Sequence, residues 1–356
     1  MRTLIVSITL YICAAVWTTV AAQDIPKVAF LYISPVGESG WTFEHERGRL
    51  MAEAAYAGKV QLDYFENIPD DATSADKMRE LAEAGYDMIV ATSYGYMNSA
   101  VQVAFEYPGL KIEHASGFVR TSNMSTYNAR FYEGRVSQGI VAGHMTRTNK
   151  VGYIAGPPIP EVIRGINAAF LAARSVNPDI EFEVVWANGW FNPELEERLA
   201  RELIAGGADI LMQHTDTEKP VEVAEELGAF AFGQASDMRQ YGNDAQLSAT
   251  INHWGPYYIE RIGALIDGTW QSQDVWGGLS DEMIEIAVFS DLIPLRYQNQ
   301  AADYSERIRT NRYHPFTGPI RKQDGSGWLA SGETASDTDL LTMDFFVEGI
   351  KGSIPN

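Results

Sequence analysis

Two hydrophobic patterns alternate along this chain: short apolar runs without polar interruption, and longer stretches with apolar residues three or four apart. The runs Val28–Ile33 and Val151–Ile154 read as strands covered on both faces. Each leads through a Gly/Pro turn into a helical pattern, about Phe43–Tyr56 in one case and Glu161–Ser175 in the other. A second strand follows in each place, Val60–Phe65 and Phe182–Ala187, then Pro69 or Pro193. The next segments are helical, with apolar residues on one face (Met78 and Leu81; Leu195, Leu199 and Leu203). Third strands are expected at Met88–Ala91 and Ile210–Met212, where Gly85 and Gly207 end the preceding helices.

The two sets of elements are copies of one another. Lys27-Val-Ala-Phe-Leu-Tyr-Ile-Ser-Pro matches Lys150-Val-Gly-Tyr-Ile-Ala-Gly-Pro-Pro, 123 positions on (150 − 27). Glu80-Leu-Ala-Glu-Ala-Gly-Tyr-Asp-Met-Ile-Val matches Glu202-Leu-Ile-Ala-Gly-Gly-Ala-Asp-Ile-Leu-Met, 122 positions on (202 − 80). That period is the length of a domain, too long for a solenoid repeat. Strands alternating with helices imply parallel sheets with right-handed crossovers. The expected fold class is therefore α/β, two doubly wound parallel-sheet lobes joined by a hinge. Residues 23–146 with about 275–312 are assigned to an N-terminal lobe, 147–274 to a C-terminal lobe, and 313–356 to a tail packing on the lobes. Linking strands are expected near 120–148 and 274–293, with a third crossing before the tail.

The first 22 residues do not fit this grammar. Arg2, an apolar run from Leu4 and the ending Val20-Ala21-Ala22-Gln23 read as a secretory signal cleaved near Ala22. Cys13, the one cysteine, lies inside it, so the mature chain has no disulfide and stability rests on its core. Cys13 is also too early to be a lipid-bearing first residue, so a soluble periplasmic protein is expected. The net charge of −20 becomes −21 when Arg2 is removed. Such an acidic surface repels phosphate backbones, which argues against nucleic acid, and suits a monomer.

Ligands of doubly wound sheets bind at the loops beyond the strands' carboxyl ends. These loops are unusually aromatic: Trp41, Tyr94, Tyr96, Trp190, Phe191 and Trp254 all fall at strand exits. Rings there expose apolar area unless something covers it, and a flat ligand held between rings would do so. Trp41 and Trp190 are the leading candidates, with Phe191 expected to point inward. Glu38 and Asp237 are placed to accept hydrogen bonds from ring N–H or amino groups. The bland readings stand beside these: any one ring can be core, Asp237 can cap the segment after it, and Glu38 can be solvated.

Enzymatic signatures are missing. There is no GxSxG elbow, no Walker loop, no HExxH, and the six histidines have no metal spacing. No cofactor, metal or catalytic residue is expected, and a binder is favoured over an enzyme.

The stretches Asn149-Lys-Val-Gly-Tyr-Ile-Ala-Gly, Trp190-Phe-Asn-Pro, Gly206-Gly-Ala-Asp-Ile-Leu-Met-Gln, Phe232-Gly-Gln-Ala-Ser-Asp237 and Met343-Asp-Phe-Phe-Val-Glu-Gly-Ile-Lys-Gly-Ser-Ile-Pro together resemble the basic-membrane-protein family of substrate-binding proteins. The resemblance runs over nearly all of the mature chain. It implies a type I periplasmic binding protein fold and capture of purines for an ABC permease, the base sandwiched by an aromatic from each lobe. By that resemblance Trp41 and Trp190 are the sandwich, Glu38 matches an acidic base-reading position, and Asp237 matches an aspartate on ribose or base. Two departures stand out. The lipid-accepting cysteine is absent, and the lysine that helps hold ribose is replaced in Asn252-His-Trp-Gly. A bulky Trp254 there would occupy the ribose space, so a free base such as adenine is expected rather than a nucleoside. A sugar binder of the same fold and a ligand-sensing subunit for a receptor are the alternatives.

Overall fold

The computed structural model describes residues 25–355; the expected signal segment and Cys13 lie outside the described residues. In the first lobe, β1 (Lys27–Leu31), α1 (Gly40–Ala55), β2 (Gln61–Phe65), α2 (Ser74–Glu83), β3 (Met88–Ala91), α3 (Met97–Glu106), β4 (Lys111–Ala115) and β5 (Met124–Ala129) follow in order. The chain then runs through α4 (Phe131–Met145) into β6 (Lys150–Ala155), α5 (Pro160–Val176), β7 (Glu181–Trp186), α6 (Pro193–Ala205), β8 (Ile210–His214), α7 (Lys219–Leu227), β9 (Phe230–Gly233) and β10 (Gln246–Asn252). Helix α8 (Gly255–Ile266), β11 (Asp274–Gly277), β12 (Ile284–Ile286) and α9 (Leu295–Arg309) complete the lobes.

The duplication is visible in the sheets. One has the order β11-β5-β4-β3-β1-β2; the other runs β12-β10-β9-β8-β6-β7, then a short tail strand, Ile350–Lys351. Both therefore place strands 2-1-3-4-5 of each repeat side by side, with a sixth strand returning at the edge. All pairings in the first are parallel; in the second only β12 runs antiparallel, against β10. The apolar runs account for this: Val28–Leu31, Met88–Ala91 and Val151–Ala155 are buried throughout, as strands covered by helices on both faces must be. Gly85 (φ +79°) and Gly207 (φ +98°) make the expected left-handed exits from α2 and α6.

The lobe boundaries differ from those expected. The chain crosses at 129–131 and at 277–284, inside the two expected linking stretches, and a third time at 252–255 rather than before the tail, so the lobe bounds are not at 146 and 274. Helix α4 packs on α5, α9 and β10, and so belongs to the second lobe. Helix α8 packs on α1 in the first lobe. From 275–312, only β11 joins the first sheet; α9 lies against α4. The β5–α4 and β10–α8 pairs straddle crossings, so the strand sits in one lobe and its following helix in the other. The tail packs on the second lobe, where Asn167 donates to the Phe345 carbonyl and Arg174 to that of Glu348.

One buried network anchors α8 to the first sheet. Glu113 on β4, with no exposed surface, accepts from Arg261 Nε (2.7 Å), Tyr257 OH (2.5 Å) and Trp270 Nε1 (2.6 Å). Removing one member of a buried ion pair strands the other's charge. Glu113→Ala should lower the unfolding free energy by about 3–5 kcal/mol in urea titrations. A loss below about 1 kcal/mol would mean that apolar packing alone holds α8.

Candidate functional site

The residues just beyond the strands' carboxyl ends converge between the lobes. Ile33 follows β1, Trp41 opens α1, and Ser93 and Tyr94 follow β3. From the second lobe come Glu161 of α5, Trp190 after β7, His214–Asp216 at the end of β8 and Gln234 after β9. These ten residues line a void between the lobes. This is where a doubly wound fold places its ligand, here supplied from both sides.

The two walls touch through one carboxylate. Asp216 of the second lobe accepts from the backbone N–H of Trp41 and from Ser34 Oγ (2.9 Å) in the first. Ser39, the residue before α1, makes no side-chain cap, so the helix start is capped from across the cleft. Ser236 Oγ accepts from Gly40 N beside it (2.6 Å). Gly40 has φ +89°, and a Cβ there would lie 2.4 Å from Asp216 Oδ1, so only glycine admits this approach. Burial pushes the Asp216 carboxyl up to about 7, against the pull of the Trp41 N–H.

The rings are individually braced. Trp41 donates Nε1 to the Thr92 carbonyl (2.6 Å) and meets Trp254 edge-on at 5.5 Å. Trp254 in turn stacks on His45 at 4.9 Å. Trp190 lies over the backbone of Gly156, where a Cβ would come within 3.0 Å of its ring. On the second wall, Glu161 accepts from Asn128 Nδ2 (2.8 Å) and lies 3.7 Å from His214 Nε2. Burial, and then the nearby Arg135 and Arg164 guanidiniums, hold His214 well below the usual histidine range, so it is neutral. The wall thus combines aromatic faces, a carboxylate held by Asn128, a neutral imidazole and a carboxamide.

Of the seven candidate residues, the structure brings Trp41, Tyr94 and Trp190 together around the void. Trp254 is buried behind Trp41, in the β10–α8 crossing, and lines none of it. Tyr96 is wholly buried in the first lobe, donating to the Ile68 carbonyl. It lies two residues beyond Tyr94, on the opposite side of a 3-10 turn (Tyr94–Tyr96). Glu38 is exposed on the rim, where its carbonyl accepts from Gln240 across the cleft. Asp237 is exposed and accepts from Arg239 N (3.0 Å) and Gln246 Nε2 (2.5 Å), a turn-holding role. Phe191, expected to point inward, is 43% exposed. Glu161, His214, Thr215, Asp216 and Gln234 are lining residues that the ring-centred reading passed over, although all but Glu161 lie at the strand exits it had marked. Among the described residues no group of side chains could hold a metal ion, and no helix is long and apolar enough to cross a membrane.

Comparison with known proteins adds four findings. The family model for PnrA-like ABC transporter substrate-binding proteins matches residues 25–317. A purine-binding protein of Brucella abortus (strain 2308) is 44% identical across 94% of this chain and 95% of its own length. A Haloferax volcanii protein, named provisionally as the glucose-binding protein of an ABC transporter, is 32% identical across 93% of this chain and 81% of its own. Among solved structures, an ABC transporter solute-binding protein from Aeropyrum pernix K1 superposes with a TM-score of 0.70 at 16% identity, over 83% of this chain and 93% of that one. The fold is the type I periplasmic binding protein fold.

Asp216 is buried where the lobes meet, and a parting of the lobes would return it to water, where a carboxyl titrates near 4. A group whose pKa is raised in the closed form favours closing below its solvated pKa, and that advantage is lost as pH rises through about 7. Glu196, which faces Asp216 from α6, hydrogen-bonds Thr217 within the second lobe, so its burial does not depend on closure. Small-angle scattering on the ligand-free protein should therefore show a more open form above about pH 7 than near pH 5. Asp216→Asn should flatten that dependence; an unchanged profile in the variant would assign it elsewhere.

Proposed function

Since the chain belongs to the PnrA-like family of ABC transporter substrate-binding proteins, we propose that it captures a purine between Trp41 and Trp190 and hands it to a permease from the periplasm. Proteins of this family bind solutes for transport and perform no chemistry on them. The observation that carries the purine reading is the interlobe void itself: two tryptophans and Tyr94 beside a carboxylate and a carboxamide, in a chain 44% identical to a named purine binder. Flat heteroaromatic rings stack on such faces whatever their edge pattern, while the polar groups select among edges.

A free base, adenine among the candidates, fits this void better than a nucleoside. Neither lysine nor arginine lines it. Asp237, the aspartate expected near a sugar, is engaged at the surface, and Asp216 is engaged by α1. The side chains left to meet ribose hydroxyls are Ser93, Glu161, His214, Thr215 and Gln234, with no lysine or arginine among them. Trp254 bears on this indirectly, by pinning Trp41. A second reading, a sugar ligand, is favoured by one observation, the glucose-binding name of the Haloferax relative. The delivery step follows from hinge closure: the ligand binds the closed form better and shifts a pre-existing balance toward it. The protein acts as a monomer in this scheme.

Calorimetry with adenine, adenosine and glucose separates these readings. Adenine should bind tightest. Adenosine binding more than about tenfold tighter would make the ligand a nucleoside, and a response to glucose alone would replace the purine by a sugar. Trp190→Ala should weaken adenine binding by about 1–3 kcal/mol, roughly 5- to 150-fold; unchanged affinity would remove Trp190 from the clamp.

A further inference from the structure

Among the buried charges that ligand capture leaves unused, one has no counter-charge. Arg135, on α4 at the floor of the second lobe's wall, is 1% exposed. No carboxylate lies within ion-pair distance of it among the described residues, an expensive arrangement for a guanidinium. What surrounds it is amide oxygen. Its NH1 donates to Gln138 Oε1 (2.7 Å), and its NH2 to the Gln213 carbonyl (2.7 Å) and to Gln234 Oε1.

The contact with Gln234 has a directional consequence. A carboxamide can turn either its oxygen or its NH2 toward a neighbour, but a guanidinium only donates. Arg135 therefore fixes the Gln234 oxygen inward. The NH2 of Gln234 donates to no described residue, and since Gln234 lines the void, the NH2 is the group it has left to offer a ligand. The adjacent positive charge polarises the amide and strengthens that NH2 as a donor. On the same wall, Glu161 can only accept while ionised.

We propose that Arg135 is a positioning residue that locks Gln234 as a hydrogen-bond donor, so that the site selects heteroaromatic ligands with an in-plane acceptor, a ring nitrogen or a carbonyl oxygen, for Gln234 to meet. The ligand's own N–H then faces Glu161. The inference rests on the purine reading and deepens it. It explains why an uncompensated charge is kept inside the wall: an apolar residue at 135 would leave the amide free to turn. A ligand whose edge offers only donors meets donor against donor at Gln234 and is rejected, because a site with a fixed donor leaves it unpaired.

Gln234→Glu tests the lock, because it opposes stability and binding. The new carboxylate is nearly isosteric and gives Arg135 a counter-charge, so the melting temperature should hold or rise. The void now meets an acceptor where it had a donor, so adenine affinity measured by calorimetry should fall by about tenfold to a hundredfold. Adenine affinity within about threefold of wild type would overturn the proposal. A second arm uses the adenine analogues in which a single ring nitrogen is replaced by C–H. One of them should bind the wild-type protein about tenfold more weakly than adenine, yet bind Gln234→Leu no more weakly than adenine does. Equal penalties in both proteins would overturn the contact. If the wild-type protein binds no purine at all, the functional reading fails, and the lock is judged by stability alone. A melting temperature of Gln234→Glu at or above wild type then supports it, and a lower one overturns it.

Discussion

The closed arrangement depends on a helix cap supplied from the wrong side of a cleft. The first N–H groups of α1 need acceptors, and Ser39 does not provide one. Asp216 provides it from the other lobe. This one contact sets several others. It demands glycine at position 40, because a side chain there would meet the carboxylate. It brings Ser236 onto Gly40 N, and it positions the backbone of Trp41, the ring on the first wall. The contact that joins the lobes and the one that sets the Trp41 wall of the void are thus the same, and the Asp216 carboxylate is engaged in it.

Behind the clamp, the crossings supply rigidity where a two-lobe protein also needs a hinge. Trp254 lies in one crossing and Phe131 at another, and both pack edge-on against Trp41, at 5.5 and 5.9 Å. Phe131 also reaches His214 of the second wall at 6.1 Å. Helices α4 and α8 each leave the lobe that holds the strand before them, so the ligand-facing ring on α1 rests on residues at two of the three crossings. A rotation between the lobes must therefore move the support of Trp41 as well as its cap.

The duplication made much of this legible from sequence. Two copies of strand-turn-helix at one offset specified the sheets, and the rule that ligands sit beyond strand ends picked out Trp41, Tyr94 and Trp190. What the sequence did not reveal has physical causes. The pattern of a βα pair is the same whether its helix returns to its own sheet or crosses to the other, so α4 and α8 were assigned to the wrong lobes. Burial on a 3-10 turn alternates within two residues, so Tyr96 went to the core while Tyr94 reached the cleft. Asp237 and Asp216 are both carboxylates after strands. Which one turns inward is decided by a partner 175 positions away, the N–H of Trp41, which no local pattern encodes.

The charge balance inside the wall narrows the chemistry further. The protein's surface is strongly acidic, yet its buried interior beside the void holds two guanidiniums, Arg135 and Arg164. They do not open onto the ligand as an anion hole. Arg164 lies 3.9 Å from Glu161, and Arg135 is spent on amide oxygens. Their shared effect is on His214, which they help keep uncharged. With the imidazole neutral and Asp216 bound to α1, Glu161 is the one ionisable side chain left to meet a ligand from the lining, apart from the Tyr94 phenol, which burial raises. A single carboxylate behind aromatic faces repels a phosphate and has no cation to offer a carboxylate. It suits a neutral, flat molecule with an N–H to donate. On the proposed reading the two arginines would shape selectivity without touching the ligand, Arg135 by fixing which way an amide points and both by adding to the burial that keeps His214 uncharged.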